Sequence, residues 1–110
     1  MIRFLFLFFA FIISSCTYHE LSPCETNAPA FTDCVKPIFE QSCIGCHFTD
    51  NSYGIMPLTN YQEIKDKVIN STVIESLERA EGFMPKSGER LSAEHILIIK
   101  NWKENGAPNN

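Results

Sequence analysis

The chain has 110 residues, which is enough for one small domain and too few for two independent hydrophobic cores. Nine Lys and Arg stand against 13 Asp and Glu, giving a net charge of −4. This mildly acidic balance, with no basic run, argues against a nucleic-acid partner, because such partners are bound by neutralising their phosphates.

The first residues have the pattern of an export signal. Residues 1–3 include the positive charge of Arg3, and residues 4–13 form an unbroken apolar run of ten. That run is shorter than the ~20 apolar residues of a membrane-spanning helix and fits the central region of a signal peptide. It ends in Ile13-Ser14-Ser15-Cys16, which resembles the bacterial lipoprotein cleavage box, whose cysteine receives a diacylglycerol.

This pattern predicts a lipoprotein signal peptide over residues 1–15 and a mature chain that begins at lipidated Cys16. The alternative is an ordinary signal peptide cut nearby, with Cys16 incidental. Losing Arg3 takes the nine basic groups to eight against 13 acidic ones, so the net charge becomes −5. Buried acyl chains hold a protein on a membrane without spanning it. We therefore expect a lipid-anchored protein of the bacterial cell envelope that faces the periplasm.

Residues 16–30 contain Pro23 and Pro29 and few apolar side chains, which predicts a tether. Cys24 and Cys34 are the cysteines left over once Cys16 and the motif described next are assigned. Because the periplasm is oxidising, a disulfide between them is permitted, and it would constrain the unfolded chain by about 2–3 kcal/mol. The alternative is two free, buried thiols.

The sequence Cys43-Ile44-Gly45-Cys46-His47 is typical of covalent c-type haem attachment. The spacing lets two thiols reach the two vinyl groups on one porphyrin edge, and it carries the histidine under the iron. A thioredoxin-like site would be expected near a βαβ pattern. A zinc site usually shows a second pair of ligands. The sequence around the motif has neither signal, so haem is the favoured interpretation.

A first helix is predicted to begin near Thr32 or Asp33, which are good N-cap residues, and to end close to Cys43. Residues 38–47 resemble the N-terminal helix and haem site of the class I cytochrome c family. Phe39 matches that family's aromatic residue four positions before the first haem cysteine. The resemblance implies an all-α cytochrome c domain over residues 31–110, in which three to four short helices wrap around one covalently bound haem.

The next segments predict loops and short helices. Residues 48–58 are rich in turn-forming residues and indicate a loop. Thr59-Asn60-Tyr61-Gln62 has the form of a capping box, with Thr59 as N-cap and Gln62 as its partner. The second helix then runs to about Ile69.

A third, shorter helix is predicted over residues 73–79, and residues 81–89 form another loop that contains two glycines and a proline. Ser92 is expected to cap the last helix, which Gly106 and Pro108 terminate.

The second axial ligand of the iron has four candidates, Met56, Met84, His95 and His19. The family carries its axial methionine in the loop before the last helix, often followed by proline, and Gly82-Phe83-Met84-Pro85 matches this. The resemblance therefore implies Met84, with Met56, a histidine or an open site as alternatives. The Nδ1–H of His47 is expected to donate to a backbone carbonyl within residues 55–58.

Four aromatic residues have expected positions. The resemblance implies that Trp102 packs against the first helix near Phe39, and Tyr53, Tyr61 and Phe83 are candidates for lining the haem crevice.

These features predict an electron carrier with one haem c, whose iron is ligated by His47 and Met84. An iron held by two protein ligands has no open position for a substrate, which suits one-electron transfer and not catalysis. Redox partner proteins and a membrane, reached through the lipid anchor, are the expected partners of a monomer. The alternatives are an electron-entry subunit of a periplasmic oxidoreductase, a small haem peroxidase, and a haem-based redox or gas sensor.

Overall fold

A computed structural model describes residues 24–86 and 88–110 of the chain. This part is helical and contains no β-strand, which confirms the all-α prediction for the described residues. The predicted signal peptide over residues 1–15, Cys16 and His19 lie outside it. A π-helical turn opens the fold and runs directly into the first of four α-helices. The elements are the π-helical turn Phe31–Val35, α1 (Lys36–Ser42), α2 (Tyr61–Asn70), α3 (Val73–Glu78) and α4 (Ala93–Glu104).

The start of the first helix differs from the prediction. Neither Thr32 nor Asp33 is its N-cap, because the helical turn already begins at Phe31 and has no capping side chain of its own. The free backbone N–H groups donate instead to Asn110, from Phe31 to the side-chain oxygen at 3.0 Å and from Thr32 to the main-chain oxygen at 2.8 Å. A distant residue therefore meets the hydrogen-bonding need of this helix start.

The capping box of α2 is shifted by one residue from the predicted one. Asn60, not Thr59, is the N-cap, and its side-chain oxygen accepts from the backbone N–H of Glu63 at 3.0 Å. The Glu63 carboxylate accepts from the Thr59 N–H at 2.8 Å and from its hydroxyl at 2.7 Å. A carboxylate offers more acceptor sites than the Gln62 amide and is favoured by the positive end of the helix dipole. The Thr59–Gln62 prediction is therefore wrong.

The last helix begins as predicted. The Ser92 hydroxyl accepts from the backbone N–H of His95 at 3.1 Å. Trp102 of this helix is fully buried, and its indole N–H donates to the Pro108 carbonyl at 2.9 Å. The expected ring partner near Phe39 is not the one observed, because the aromatic ring beside Trp102 belongs to Phe31 of the π-helical turn, at 5.5 Å between centroids.

One apolar core joins all the helices. Its members come from every helical element and from the segments between them. The largest fully buried side chains are Trp102, Phe39, Ile64, Ile99, Val35, Val68 and Pro29. No helix within residues 24–86 and 88–110 combines the length and the apolar character needed to cross a membrane.

Residues 24–30, the described part of the predicted tether, pack on the helical domain. Cys24 is joined to Cys34 by a disulfide, with the two Cα atoms 5.5 Å apart. The side-chain amide of Asn101 donates to the Thr26 carbonyl at 2.7 Å, and that of Asn105 donates to the next carbonyl at 2.8 Å. The folded unit therefore includes these residues as well as residues 31–110.

Candidate functional site

A cavity of about 370 Å³ lies beside the end of α1, and its walls are mostly apolar. Cys43, Cys46 and His47 contribute to it, and so does Met84 from the segment between α3 and α4. The fold therefore brings together the four side chains that the sequence marked as haem-binding, although one of them is remote in the chain. The apolar walls include Phe39, Leu58, Val73, Leu77, Leu91 and Ile99.

The cysteine motif is held in place by turns that continue from α1. The Cys43 N–H donates to the Phe39 carbonyl at 2.9 Å, which extends the helical hydrogen bonding beyond Ser42. The N–H groups of Cys46 and His47 both donate to the Cys43 carbonyl, at 3.1 and 2.9 Å. This tight turn keeps both thiols and the imidazole at one wall of the cavity.

The imidazole of His47 is oriented by a hydrogen bond from its Nδ1 to the Met56 carbonyl oxygen, at 2.7 Å. This confirms the expected carbonyl partner within residues 55–58. Because a carbonyl only accepts, Nδ1 carries the proton and Nε2 keeps its lone pair for a metal. The His47 carbonyl in turn accepts from the Leu58 N–H at 2.8 Å. The imidazole is thus fixed from the main chain in the form that ligates iron.

Both candidate methionines line the cavity, but they are held by different parts of the fold. Met56 is bound through its carbonyl to Nδ1 of the His47 imidazole. The backbone N–H of Met84 donates to the Ser76 carbonyl of α3 at 2.9 Å. Met84 therefore reaches the cavity from a part of the chain that is held by α3 and not by the loop that holds His47.

The two motif cysteines are free thiols, with Cys46 exposed and Cys43 half-buried. Burial raises the pKa of the Cys43 thiol, and the charge of the neighbouring Cys46 raises it further, to about 11. Cys43 is therefore protonated at neutral pH. Catalytic and redox-active cysteines have pKa values shifted in the opposite direction.

The three aromatic candidates do not line the cavity, so that expectation is wrong. Tyr53 is 80% exposed. Tyr61 lies at the start of α2, and its hydroxyl donates to the Ala107 carbonyl at 2.9 Å. Phe83 is covered by the guanidinium of Arg90, 4.0 Å from the ring centroid. Aromatic character predicts burial or stacking but does not indicate which side of the domain a side chain faces.

The remaining histidine candidate is also absent from the cavity walls. His95 is placed by the cap of α4, where its backbone N–H binds Ser92.

Four polar residues of the cavity wall were not predicted from the sequence. They come from the end of α1, from α3 and from the segment after Met84, and they are Gln41, Ser42, Ser76 and Lys86. They share no spacing, and only the folded chain brings them together. No local pattern could therefore have identified them.

No family model, no curated protein and no solved structure matches this chain. Within residues 24–86 and 88–110, no group of three or more His, Cys, Asp or Glu side chains is arranged to hold a metal ion. The function is therefore inferred from the chain's own residues.

Proposed function

We propose that this chain is a monohaem c-type cytochrome that transfers single electrons and is lipid-anchored in the bacterial cell envelope. The observation that carries the proposal is the meeting of Cys43, Cys46, His47 and Met84 at one apolar cavity. The resemblance of residues 38–47 to class I cytochromes c supports the same function.

The donor set and the cavity fit a covalently attached haem. Cys43 and Cys46 would hold it through thioethers, and His47 Nε2 and the Met84 sulfur would bind its iron. A thioether is an iron donor in cytochromes c and is not a usual ligand of structural zinc. The cavity volume of about 370 Å³ lies within the ~300–1,000 Å³ of small-molecule sites. When bound, haem c supplies an iron that gains and loses one electron reversibly.

The walls of the cavity suit this chemistry. Phe39, Leu77 and Ile99 are almost completely buried and give the cavity an apolar wall. An apolar environment and the neutral Met84 donor both favour the reduced state and raise the potential. The hydrogen bond from the His47 imidazole to the Met56 carbonyl limits movement of this side chain when the charge of the iron changes.

Two protein ligands on the iron would also distinguish an electron carrier from a peroxidase or a gas sensor. A peroxidase or a gas sensor needs one open axial position, and Met84 would fill it. Carbon monoxide distinguishes these functions, because it binds reduced iron only where a position is open. We expect the reduced protein to resist carbon monoxide, and ready binding would favour the enzyme or sensor alternative.

The first test is covalent haem attachment in the exported protein. The chain is expressed in a bacterium that attaches haem to exported C-x-x-C-H proteins, and the purified protein is extracted with acid–acetone. We expect the Soret absorption to stay with the protein. The matched control replaces the other cysteine pair, Cys24→Ser/Cys34→Ser, and should retain haem, whereas Cys43→Ala/Cys46→Ala should lose it. Haem that is extracted from the native chain would contradict the proposal.

The second test assigns the sulfur ligand. Met84→Ala should abolish the weak long-wavelength band of an iron–sulfur bond and lower the midpoint potential, because a soft neutral donor is lost. Met56→Ala is the matched control and should leave the band in place. The reverse result would assign the ligand to Met56.

Membrane attachment rests on the sequence of residues 1–16, which lie outside the described part of the structure. Cys16→Ser should abolish incorporation of labelled fatty acid and release the protein from the membrane fraction. Continued labelling of that variant would show that the lipid is carried elsewhere.

A further inference from the structure

The side chain of Arg90 contacts two backbone carbonyls and one aromatic ring in the part of the chain that leads to Met84. Arg90 stands just before α4, and its guanidinium reaches back to the end of α3. One terminal nitrogen donates to the Leu77 carbonyl at 3.1 Å, and the other donates to the Arg79 carbonyl at 2.7 Å. The last carbonyls of a helix have no partner within the helix, and a cation there also interacts favourably with the helix dipole. Arg90 therefore fixes the point where the chain leaves α3.

The same guanidinium lies over the ring of Phe83, 4.0 Å from its centroid. Phe83 directly precedes Met84, whose own N–H is bound to the Ser76 carbonyl of α3. We name residues 79–84 the Met84 segment. Arg90 contacts this segment at Arg79, its first residue, and at Phe83, the residue before Met84. Leu91, which follows Arg90, is buried in the cavity wall.

We propose that Arg90 is a positioning residue that keeps Met84 at the cavity and so keeps the second axial position of the iron closed. This inference rests on the proposed function, because it concerns the same site. Without the guanidinium, the Met84 segment loses a hydrogen bond at Arg79 and the cation stacked on Phe83, and the end of α3 loses the bond at Leu77. Met84 then keeps its backbone hydrogen bond to Ser76 and its packing on the core. Access of small ligands to the iron should then rise.

The geometry requires arginine and not merely a positive charge. The planar guanidinium presents several N–H groups in a fixed fork and stacks on an aromatic face at the same time. A lysine ammonium is a point charge on a flexible stem, and it does not replace two separated hydrogen bonds together with a stacked plane. Arg90→Lys should therefore restore only part of what Arg90→Ala loses.

The test measures carbon monoxide binding to the reduced holoprotein and the long-wavelength iron–sulfur band of the oxidised holoprotein. Two hydrogen bonds from a charged donor and a cation–π contact are lost in Arg90→Ala, so we expect the fraction that binds carbon monoxide to rise about tenfold or more. The band should weaken in parallel, and Arg90→Lys should lie between this variant and the native protein.

Lys100→Ala is the matched control. Lys100 of α4 binds Glu78 at the end of α3, with 2.9 Å between the charged atoms, and its removal deletes one exposed positive charge. Glu78 lies outside the Met84 segment. The control should therefore keep the band and the resistance to carbon monoxide, although it too loses a contact to the end of α3.

Proteolysis gives a second measurement, which reports on the backbone of the Met84 segment and does not depend on the iron. Trypsin cleavage of the holoprotein after Arg79, whose carbonyl is a partner of Arg90, should be about tenfold faster in Arg90→Ala than in Lys100→Ala. If Arg90→Ala does not fold, the comparison of Arg90→Lys with Lys100→Ala decides the question.

The outcomes separate this inference from the proposed function. If the native protein shows the band and resists carbon monoxide but both Arg90 variants behave like Lys100→Ala, the positioning role is overturned and the cytochrome proposal stands. If the native protein itself lacks the band or binds carbon monoxide, Met84 is not the ligand and the positioning role is overturned, whereas acid–acetone extraction decides separately whether haem is covalently attached.

Discussion

Helix α4 contributes to two regions that are stabilised in different ways. Near its C-terminal end, Trp102 is closed in by groups of the chain itself, with Phe31 and Tyr61 against its ring and Pro108 accepting its N–H. About one turn earlier, Ile99 of the same helix lines the cavity of about 370 Å³ whose wall includes the cysteine motif. Atoms that face a cavity have fewer dispersion contacts than atoms in a close-packed interior.

The difference indicates that the two regions depend on different components. The Trp102 region is completed by protein atoms, and its packing includes no bound group. The cavity region has apolar walls whose contribution to stability depends on a bound group. Mutations in the two regions should therefore separate the stability of the domain from the properties of the site.

The largest expected effect is the loss of covalent haem. If haem covers roughly 400 Å² of apolar protein surface, the stabilisation is about 10 kcal/mol at ~25 cal/mol per Å². This is as large as the whole stability of an ordinary small domain. The variant Cys43→Ala/Cys46→Ala should therefore not unfold cooperatively, and far-UV circular dichroism during heating would show this. Met84→Ala, which keeps both attachment cysteines, is the control and should still melt cooperatively. A native-like melt of the double variant would contradict the expectation.

The next largest effect is expected in the Trp102 region. Trp102→Ala removes a fully buried indole and should cost roughly 3–5 kcal/mol, measured by denaturant unfolding of the holoprotein. Trp102→Phe keeps most of the packing and loses the hydrogen bond to the Pro108 carbonyl, so its cost should be smaller. Neither change should alter the iron–sulfur band under native conditions. A band that disappears with Trp102 would show that the two regions are not independent.

A smaller effect is expected from the disulfide that holds the start of the described chain. Breaking a loop closed between Cys24 and Cys34 should cost about 2–3 kcal/mol through the entropy of the unfolded chain. Cys24→Ser/Cys34→Ser measured against the native protein by denaturant unfolding tests this. Addition of a reductant to the double variant is the control and should change nothing further. Equal stability of variant and native protein would mean that the bridge contributes little.

Much of the helical layout could be predicted from local sequence. The hydroxyl cap at Ser92 and the third helix near Val73 follow from patterns within one or two turns of chain. The backbone partner of His47 was confirmed because a ligating imidazole needs its second nitrogen fixed, and Met56 lies within reach of a short loop. Local rules therefore succeeded where both partners are close in sequence.

Features that depend on distant residues could not be predicted in this way. The first helix is capped by Asn110, so its start could not be located from Thr32 or Asp33. Arg90 joins one carbonyl of α3, the carbonyl of the residue that follows α3 and the ring of Phe83, a combination that has no sequence signature. The approach of segments that are far apart in the chain is a property of the packed core, and periodicity and capping patterns do not contain it.

The smallest expected effect concerns the cap of α2, where the predicted and observed capping boxes use different residues. Asn60→Ala removes the N-cap and should cost about 1 kcal/mol. Gln62→Ala, which removes the predicted partner, should be close to neutral. Denaturant unfolding of the two variants in parallel distinguishes the boxes, and a larger cost at Gln62 would favour the predicted one.

The observed box also predicts a dependence on pH. Hydrogen bonds from Thr59 lower the pKa of the Glu63 carboxyl below its ordinary value of 4.5. The bond from the Thr59 hydroxyl has the larger effect, and the bond from the Thr59 backbone N–H has the next largest. A carboxyl whose pKa is lower in the folded state stabilises the fold at every pH above its pKa in the unfolded chain. This contribution is lost as the pH falls through the pKa that the carboxyl has in the folded protein. The native protein should therefore lose its advantage over Glu63→Gln as the pH decreases from about 7 to about 3. Melting temperatures of the two proteins across that range test this, and a difference that stays constant would show that the carboxylate does not contribute to the cap through its charge.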